Sequence, residues 1–206
     1  MIKNLLFDLG GVIMDLRRLN CVKAFEELGM ANANSMLGEY SQAGVFGGIE
    51  NGSLTPAQFH DEIREIIGRN VTDEEIDTAF QKFLIGIPRH RLEQLEQLHG
   101  QYKMYMLSNT NPIMWADKIA VYFNQLGKDV NYYFDGIARS YKIGAMKPDG
   151  VVFQWVIDQF GIKPEETLFF DDSQTNLDAA AEFGFQTLLV TPGSEFMDLF
   201  NEYIAK

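Results

Sequence analysis

Short apolar segments that alternate with helical patterns restrict the fold of this chain more than any other feature of its sequence. The apolar segments comprise residues 2–9, 103–107, 134–138, 167–170 and 186–190. Helical patterns separate the last four of them, for example over residues 149–160 and 175–183. Apolar strands that alternate with helices are typical of a parallel β-sheet covered by helices on both faces. The pattern therefore predicts an α/β fold with a Rossmann-like core.

Residues 15–87 show a different pattern, which contains helical periodicity and no strand signal. Two capping boxes mark helix starts there, because Thr55 precedes Gln58 and Thr72 precedes Glu75 at the characteristic spacing. The first apolar segment has to join the later sheet, since a lone strand leaves its backbone unpaired. We therefore expect a core domain of residues 1–14 and 88–206, interrupted by an all-helical cap domain of residues 15–87.

Composition narrows the class of function. The 206 residues carry a formal net charge of −12, which argues against nucleic acid as a partner because phosphate neutralisation needs a basic surface. No apolar run approaches the roughly 18 residues of a membrane span, and Asp8 comes too early for a signal-peptide core. The single cysteine, Cys21, fits a reducing compartment. We expect a cytoplasmic protein without a membrane partner; nothing in the sequence indicates its oligomeric state.

Polar residues follow the apolar segments at the points where the strands are expected to end. They are Asp8 with Gly10 and Gly11, Ser108 with Asn109, Lys147 before a helix, and Asp171 with Asp172. Ligands of open parallel sheets bind at the carboxyl ends of the strands, so these groups are expected to converge. Carboxylates with a backbone carbonyl suit Mg²⁺, and a carboxylate beside the metal can attack phosphorus. A hydroxyl and an ammonium group can hold the phosphoryl oxygens.

Four segments resemble the four motifs of the haloacid dehalogenase-like (HAD) hydrolase superfamily. They are FDLGGV at residues 7–12, LSN at 107–109, KP at 147–148 with Gly144 upstream, and FFDDS at 169–173. The helical segment likewise resembles the type-one cap of that superfamily. The resemblance implies a Mg²⁺-dependent phosphohydrolase that forms an aspartyl-phosphate on its nucleophile.

The resemblance also implies a role for each matching residue. The implied catalytic residues are Asp8 and Lys147; the phosphate-binding residues are Ser108, Asn109, Lys147 and Gly11; the Mg²⁺ ligands are Asp8, the Gly10 carbonyl, Asp172 and Asp171. The finer pattern, with Phe59 and residues 50–54, resembles a subgroup that includes phosphatases of glucose 1-phosphate. A small phosphorylated metabolite, such as a sugar phosphate, is therefore the expected substrate.

One position departs from the superfamily pattern. Most of its phosphatases carry a second aspartate two residues after the nucleophile as general acid and base, where this chain has Gly10. Such a group contributes about 10²–10⁴-fold to the rate. Its absence implies a leaving group that needs little protonation, an acid from elsewhere in the chain, or weak activity.

Several alternatives stay open at this point. A 2-haloacid dehalogenase shares the fold and the nucleophile but needs no metal, and a phosphomutase would need an acid where Gly10 stands. A non-catalytic module that binds a phospho-ligand or a protein would also be compatible with Gly10. In the cap, Arg17, Arg18, Phe46 and Glu50 lie near segments where substrate could enter, although such residues more often pack or face solvent.

Overall fold

The structure, a computed structural model, describes residues 1–38 and 42–205. Its strands, in chain order, are β1 (Asn4–Phe7), β2 (Asp15–Leu16), β3 (Leu84–Gly86), β4 (Lys103–Ser108), β5 (Gly136–Arg139), β6 (Thr167–Asp171) and β7 (Gln186–Leu189). Within the described residues, five of these strands form one sheet in the order β5-β4-β1-β6-β7, and every neighbouring pair is parallel. The prediction of an α/β fold with a parallel sheet is confirmed.

Helices occupy most of the remaining chain. They are α1 (Arg18–Leu28), α2 (Ala33–Met36), α3 (Gly44–Glu50), α4 (Pro56–Ile67), α5 (Asp73–Gln81), α6 (Arg89–Leu98), α7 (Pro112–Met114), α8 (Ala120–Phe123), α9 (Val130–Tyr133), α10 (Ser140–Ile143), α11 (Gly150–Phe160), α12 (Gln174–Glu182) and α13 (Phe196–Ile204). A π-helix spans Trp115–Ile119, and 3₁₀ turns span Asn124–Leu126 and Pro164–Glu166. No helix of the described residues is long and apolar enough to cross a bilayer.

A hydrophobic cluster covers each face of the sheet, and each strand contributes to both clusters because its alternate side chains point to opposite sides. In β1, Leu5 and Phe7 belong to the hydrophobic cluster on one face, and Leu6 belongs to the cluster on the other. Phe7 stacks on Phe170 of the neighbouring strand with ring centroids 4.6 Å apart. A strand buried on both faces reads as a continuous apolar run, which is why these strands could be recognised in the sequence.

Helices α1 to α5 pack around their own aromatic cluster. Phe46 is fully buried, and its ring centroid lies 5.0 Å from that of Phe25, 5.6 Å from that of Phe59 and 5.2 Å from that of Phe80. The two expected capping boxes, at Thr55 and Thr72, are present in the structure. Phe46 is therefore a packing residue of the cap and does not line the opening into which substrate would pass.

The expectation of an all-helical segment over residues 15–87 is wrong at its two ends. Strands β2 and β3 pair antiparallel there, with Asp15 opposite Gly86 and Leu16 opposite Leu84. Strands of two and three residues are too short to show an alternating pattern in the sequence, so periodicity could not reveal them. The chain thus leaves and re-enters the α/β part through adjacent strands.

The division into a core of residues 1–14 and 88–206 and a cap of residues 15–87 stays a proposal, and the ribbon of β2 and β3 supports it. Residues 39–41, which this division assigns to the cap, and Lys206, which it assigns to the core, lie outside the described residues. One strand begins later than its apolar segment predicts: that segment spans residues 134–138, and β5 spans Gly136–Arg139. Phe134 lies before that strand; it is apolar because its ring packs against those of Phe7 and Phe123.

Candidate active site

The polar ends of three neighbouring strands meet at one edge of the sheet. β1 lies between β4 and β6, and Asp8 directly follows it, while Ser108 ends β4 and Asp171 ends β6. The Asp8 backbone N–H donates to the carbonyl of Phe170 at 2.8 Å, which fixes the Asp8 backbone beside β6. Parallel strands end at the same edge of their sheet, and the predicted convergence of these groups is what the structure shows.

Lys147 connects two of the carboxylates. Its Nζ lies 2.8 Å from Oδ1 of Asp8 and 2.7 Å from Oδ2 of Asp171, and its side chain is buried. Burial raises the pKa of Asp8 to about 7, although the charge of Lys147 opposes this rise. Burial acts to lower the pKa of Lys147, but the two carboxylates outweigh it and raise that pKa above its usual value. The buried ammonium group therefore stays charged between two acids.

Asp171 is held in place by several donors. Its Oδ1 accepts hydrogen bonds from the backbone N–H of Ser173 at 2.8 Å and from Nδ2 of Asn176 at 3.0 Å. Its Oδ2 accepts the bond from Lys147, and the whole residue is inaccessible to solvent. Because its oxygens already have these donors, Asp171 is well suited to orient the site. The adjacent Asp172 is only partly buried and lines the cavity above Asp8.

The carboxylates fit the predicted metal. Asp8, Asp171 and Asp172 each offer a carboxylate oxygen, and these oxygens lie within 4.8 Å of one another. A donor set made only of oxygen suits Mg²⁺, whereas softer metals favour nitrogen or sulfur donors. The predicted metal-binding role of these three residues and of the Gly10 carbonyl stays a prediction that this arrangement supports.

Ser108 and Asn109 lie beside Lys147 but differ in what their side chains can do. Ser108 is buried, and its Oγ makes one long hydrogen bond of 3.4 Å to the Asn109 carbonyl, so it can turn to a phosphate. The Asn109 amide accepts from the backbone N–H of Lys147 at 2.9 Å and donates to its carbonyl at 3.0 Å. This pair of bonds indicates that the Asn109 side chain positions Lys147. Direct phosphate binding by Asn109 stays a prediction.

Two glycines follow Asp8, and each has a close neighbour. Gly11 has a φ of +73°, and a Cβ there would lie 2.0 Å from Oδ2 of Asp172. A Cβ on Gly10 would lie 2.5 Å from Cδ1 of Leu16. Side chains at these two positions would therefore compete for space with Asp172 and with the first residues of the cap.

Gly11→Ala is expected to weaken Mg²⁺ binding by about 10- to 100-fold, because the new methyl group displaces the Asp172 carboxylate. The measurement is the Mg²⁺ concentration for half-maximal activity, together with calorimetric Mg²⁺ titration. Gly68→Ala is the matched control, since Gly68 has nearly the same φ of +71° and no described atom within 4 Å of a built Cβ. Equal Mg²⁺ affinities of the two variants would contradict the predicted role of Asp172.

The cavity at this edge of the sheet is lined by all the residues to which the family resemblance gives a role, except Gly11 and Asp171; of the four cap candidates it includes Glu50 but not Arg17, Arg18 or Phe46. Its lining residues from the α/β part include Asp8, Gly10, Ser108, Asn109, Lys147 and Asp172. From the cap it includes Glu50, whereas Arg18 bonds to Asn34 and to the Leu37 carbonyl. Sequence reasoning gave no role to Asn111, whose buried side chain faces Glu50.

A family model and a known phosphatase match nearly the whole chain. A family model of haloacid dehalogenase-like hydrolases matches residues 2–184. D-ribitol-5-phosphate phosphatase of Bacteroides thetaiotaomicron is 36% identical to this chain over 196 residues, which are 95% of each chain.

Two solved structures share the whole architecture. A HAD family enzyme from Bacteroides thetaiotaomicron, in complex with magnesium and inorganic phosphate, has a TM-score of 0.91 at 38% identity, over 97% of this chain and 100% of that one. A predicted HAD-like family hydrolase from Porphyromonas gingivalis has a TM-score of 0.92 at 30% identity, over 100% and 99% of the two chains. The chain therefore belongs to the haloacid dehalogenase-like hydrolase family, as its four sequence motifs predicted.

Proposed function

We propose that this hydrolase is a Mg²⁺-dependent phosphatase that releases phosphate from a small sugar or polyol phosphate through an aspartyl-phosphate on Asp8. The observation that carries the proposal is the position of the Lys147 ammonium group, which lies between Asp8 and Asp171 at 2.8 and 2.7 Å. That arrangement keeps a nucleophilic carboxylate and a phosphate-binding cation in contact at the floor of one cavity.

Each side chain has a distinct part in the proposed reaction. An oxygen of Asp8 attacks phosphorus, and Lys147 offsets the negative charge that gathers on the phosphoryl oxygens. Ser108 donates its hydroxyl to one of those oxygens. Mg²⁺ held by Asp8, Asp172 and the Gly10 carbonyl would supply further charge neutralisation at the same oxygens. Water then hydrolyses the acyl phosphate and returns Asp8 to its starting state.

The name of one relative supports the proposed substrate class. The relative that is 36% identical over 95% of this chain is named a D-ribitol-5-phosphate phosphatase, which favours a phosphorylated polyol or sugar here. Glucose 1-phosphate, suggested by the sequence resemblance, is a narrower prediction within that class. The two differ in chemistry, because a 5-phosphate leaves as a primary alkoxide and an anomeric phosphate leaves as a more acidic hydroxyl.

The alternatives make different demands on the site. A dehalogenase needs no metal, and three carboxylates within 4.8 Å of one another would repel each other without a cation in addition to Lys147. A binding module without turnover would use the cavity but would not form a phosphoenzyme. Both are separated from the phosphatase by one set of assays.

Removal of Mg²⁺ is expected to lower phosphate release at least about 100-fold, because metal stabilisation of the transition state amounts to several kcal/mol. The measurement is phosphate release from a panel of polyol, sugar and nucleoside phosphates, with Mg²⁺ and with chelator. Restoration of the rate by added Mg²⁺ serves as the control for irreversible damage. Halide release from a 2-haloacid in chelator, or no release from any phosphate ester, would overturn the proposed function.

A further inference from the structure

A buried carboxylic acid from the cap lies in the same cavity as the nucleophile. Glu50 ends α3, has 7% of its surface exposed, and lines the cavity together with Asp8, Ser108 and Lys147. Buried carboxyl groups are rare unless they are paired or functional. Glu50 takes part in none of the ion pairs of the described residues, so pairing with a cation does not account for an acid at this position.

The segment after Glu50 is fixed against the α/β part of the chain. Gly52 has a φ of +77°, and a Cβ there would lie 2.4 Å from the carbonyl oxygen of Tyr141 in α10. Backbones that approach so closely leave no room for a side chain, which is the usual reason for a glycine at such a contact. The close approach holds the end of α3, and Glu50 with it, against α10, beside the cavity that Glu50 lines.

The position where a family acid would be expected has no side chain in this protein. Gly10 stands two residues after Asp8, and Leu16 occupies the space into which a Cβ at Gly10 would extend. Leu16 belongs to β2, where the chain enters the cap, and it lines the cavity beside Gly10. An acid for this reaction therefore has to reach the cavity from another element.

We propose that Glu50 is the general acid and general base of the phosphatase reaction, and that it performs from the cap the task for which Gly10 has no side chain. The inference rests on the proposed function of the site. Among the described residues that line the cavity, the other carboxyl groups are Asp8 and Asp172, which the nucleophile and metal roles already occupy.

The protonation of Glu50 suits this task. Burial raises its pKa to about 8, and the nearby Asn111 side chain lowers it in part. The other charged groups that line the cavity are Asp8, Asp172 and Lys147. The Cys21 thiol of α1 lies near Glu50, and its pKa is raised mainly by burial and also by the charge of Glu50. At neutral pH Glu50 therefore carries a proton that it can donate.

The proton balance of both chemical steps closes on Glu50. In the first step Asp8 bonds to phosphorus, the bond from phosphorus to the ester oxygen breaks, and that oxygen takes the proton of Glu50 as the alcohol leaves. In the second step the Glu50 carboxylate takes a proton from water, whose oxygen attacks phosphorus. The bond from phosphorus to Asp8 then breaks, its electron pair returns to the carboxylate, and inorganic phosphate leaves with Glu50 protonated again.

The test uses Glu50→Gln and three substrates with Mg²⁺ present. The first is p-nitrophenyl phosphate, whose acidic leaving group needs no proton donor; the second is n-butyl phosphate, which needs one but has no hydroxyls; the third is a polyol 5-phosphate. Glu50→Gln is expected to lose about 10²–10⁴-fold in kcat on both alkyl esters alike. On the aryl ester it should give a full burst of nitrophenolate, one per active site, followed by slow turnover. Glu65→Gln, the same change at an exposed site on α4, is the control.

Each other outcome is decisive. Butyl phosphate turnover by Glu50→Gln within about threefold of wild type would overturn the acid role. A loss confined to the polyol ester, and expressed in KM, would make Glu50 a group that binds hydroxyls. If Glu50→Gln does not fold, the wild type still decides: its phosphorylation by butyl phosphate should fall above about pH 8, and its phosphorylation by the aryl ester should not. Wild type without activity on any of the three esters would instead refute the proposed function itself.

Discussion

Asp8→Asn is expected to lower phosphatase turnover at least about 10⁴-fold while the protein stays folded. The substitution keeps the shape of the side chain and its place at the end of β1, but an amide oxygen is a poor nucleophile toward phosphorus. Asp8 also contributes one of the three clustered carboxylates, so the substitution removes the charge of a proposed metal ligand as well. The measurement is kcat at saturating Mg²⁺, with calorimetric titration to show how much Mg²⁺ affinity is lost.

A covalent intermediate separates the nucleophile role from the metal role. Rapid acid quench of wild type with ³²P-labelled substrate should trap an acyl phosphate that hydroxylamine releases, and Asp8→Asn should trap none. Asp172→Asn is the matched control, because it removes a proposed metal ligand and leaves the nucleophile. It should form the same intermediate, only more slowly. Trapping of the intermediate in Asp8→Asn would show that another group attacks phosphorus.

Much of this site could be read from the sequence because its parts follow buried strands. A strand buried on both faces is a run of apolar residues that ends abruptly, so Asp8, Ser108 and Asp171 stand out at the ends of β1, β4 and β6. Parallel pairing then places those ends side by side whatever the intervening chain does. Lys147 contacts both acids because its loop returns to the edge of the sheet at which these strands end.

The contribution of the cap to the site could not be predicted from the sequence, because it depends on contacts between residues far apart in the chain. Glu50 lines the cavity two residues before Gly52, which approaches the Tyr141 carbonyl, and neither Gly52 nor Tyr141 signals the other in the sequence. The ribbon of β2 and β3 is likewise too short to leave a periodic pattern. Periodicity reports which face of an element is buried but does not report what covers it. The source of a general acid was therefore left open by the sequence.

Two residues of the cap are related to Gly10, the position at which most phosphatases of the family carry a second aspartate. Leu16 fills the space beside Gly10, and it does so from the strand that leads into the cap. Glu50 comes from the same cap, at the end of α3, and lines the same cavity as Leu16. Where acid and nucleophile belong to different parts of the chain, the acid is delivered only while the cap covers the core. Closure over substrate would then both exclude water and complete the catalytic set.

Lys147→Met is expected to remove most of the activity, by about 10³-fold or more, and to destabilise the metal-free protein by about 3 kcal/mol. The Lys147 ammonium is the cation between Asp8 and Asp171, and Asp171 is inaccessible to solvent. Removal of one partner from a buried ion pair leaves the others without compensation, which costs more than the pair contributes. Methionine keeps the length of the side chain, so the effect reports the charge and not a cavity.

Mg²⁺ offers a way to show that this loss is electrostatic. A divalent cation beside the same carboxylates replaces part of the missing charge, so saturating Mg²⁺ should stabilise Lys147→Met more than it stabilises wild type. Denaturant unfolding with Mg²⁺ and with chelator measures both differences. Lys163→Met, which removes a lysine from an exposed position, should match wild type in both conditions. If Lys147→Met is as stable as wild type in chelator, the burial of Asp8 and Asp171 does not depend on the charge of Lys147.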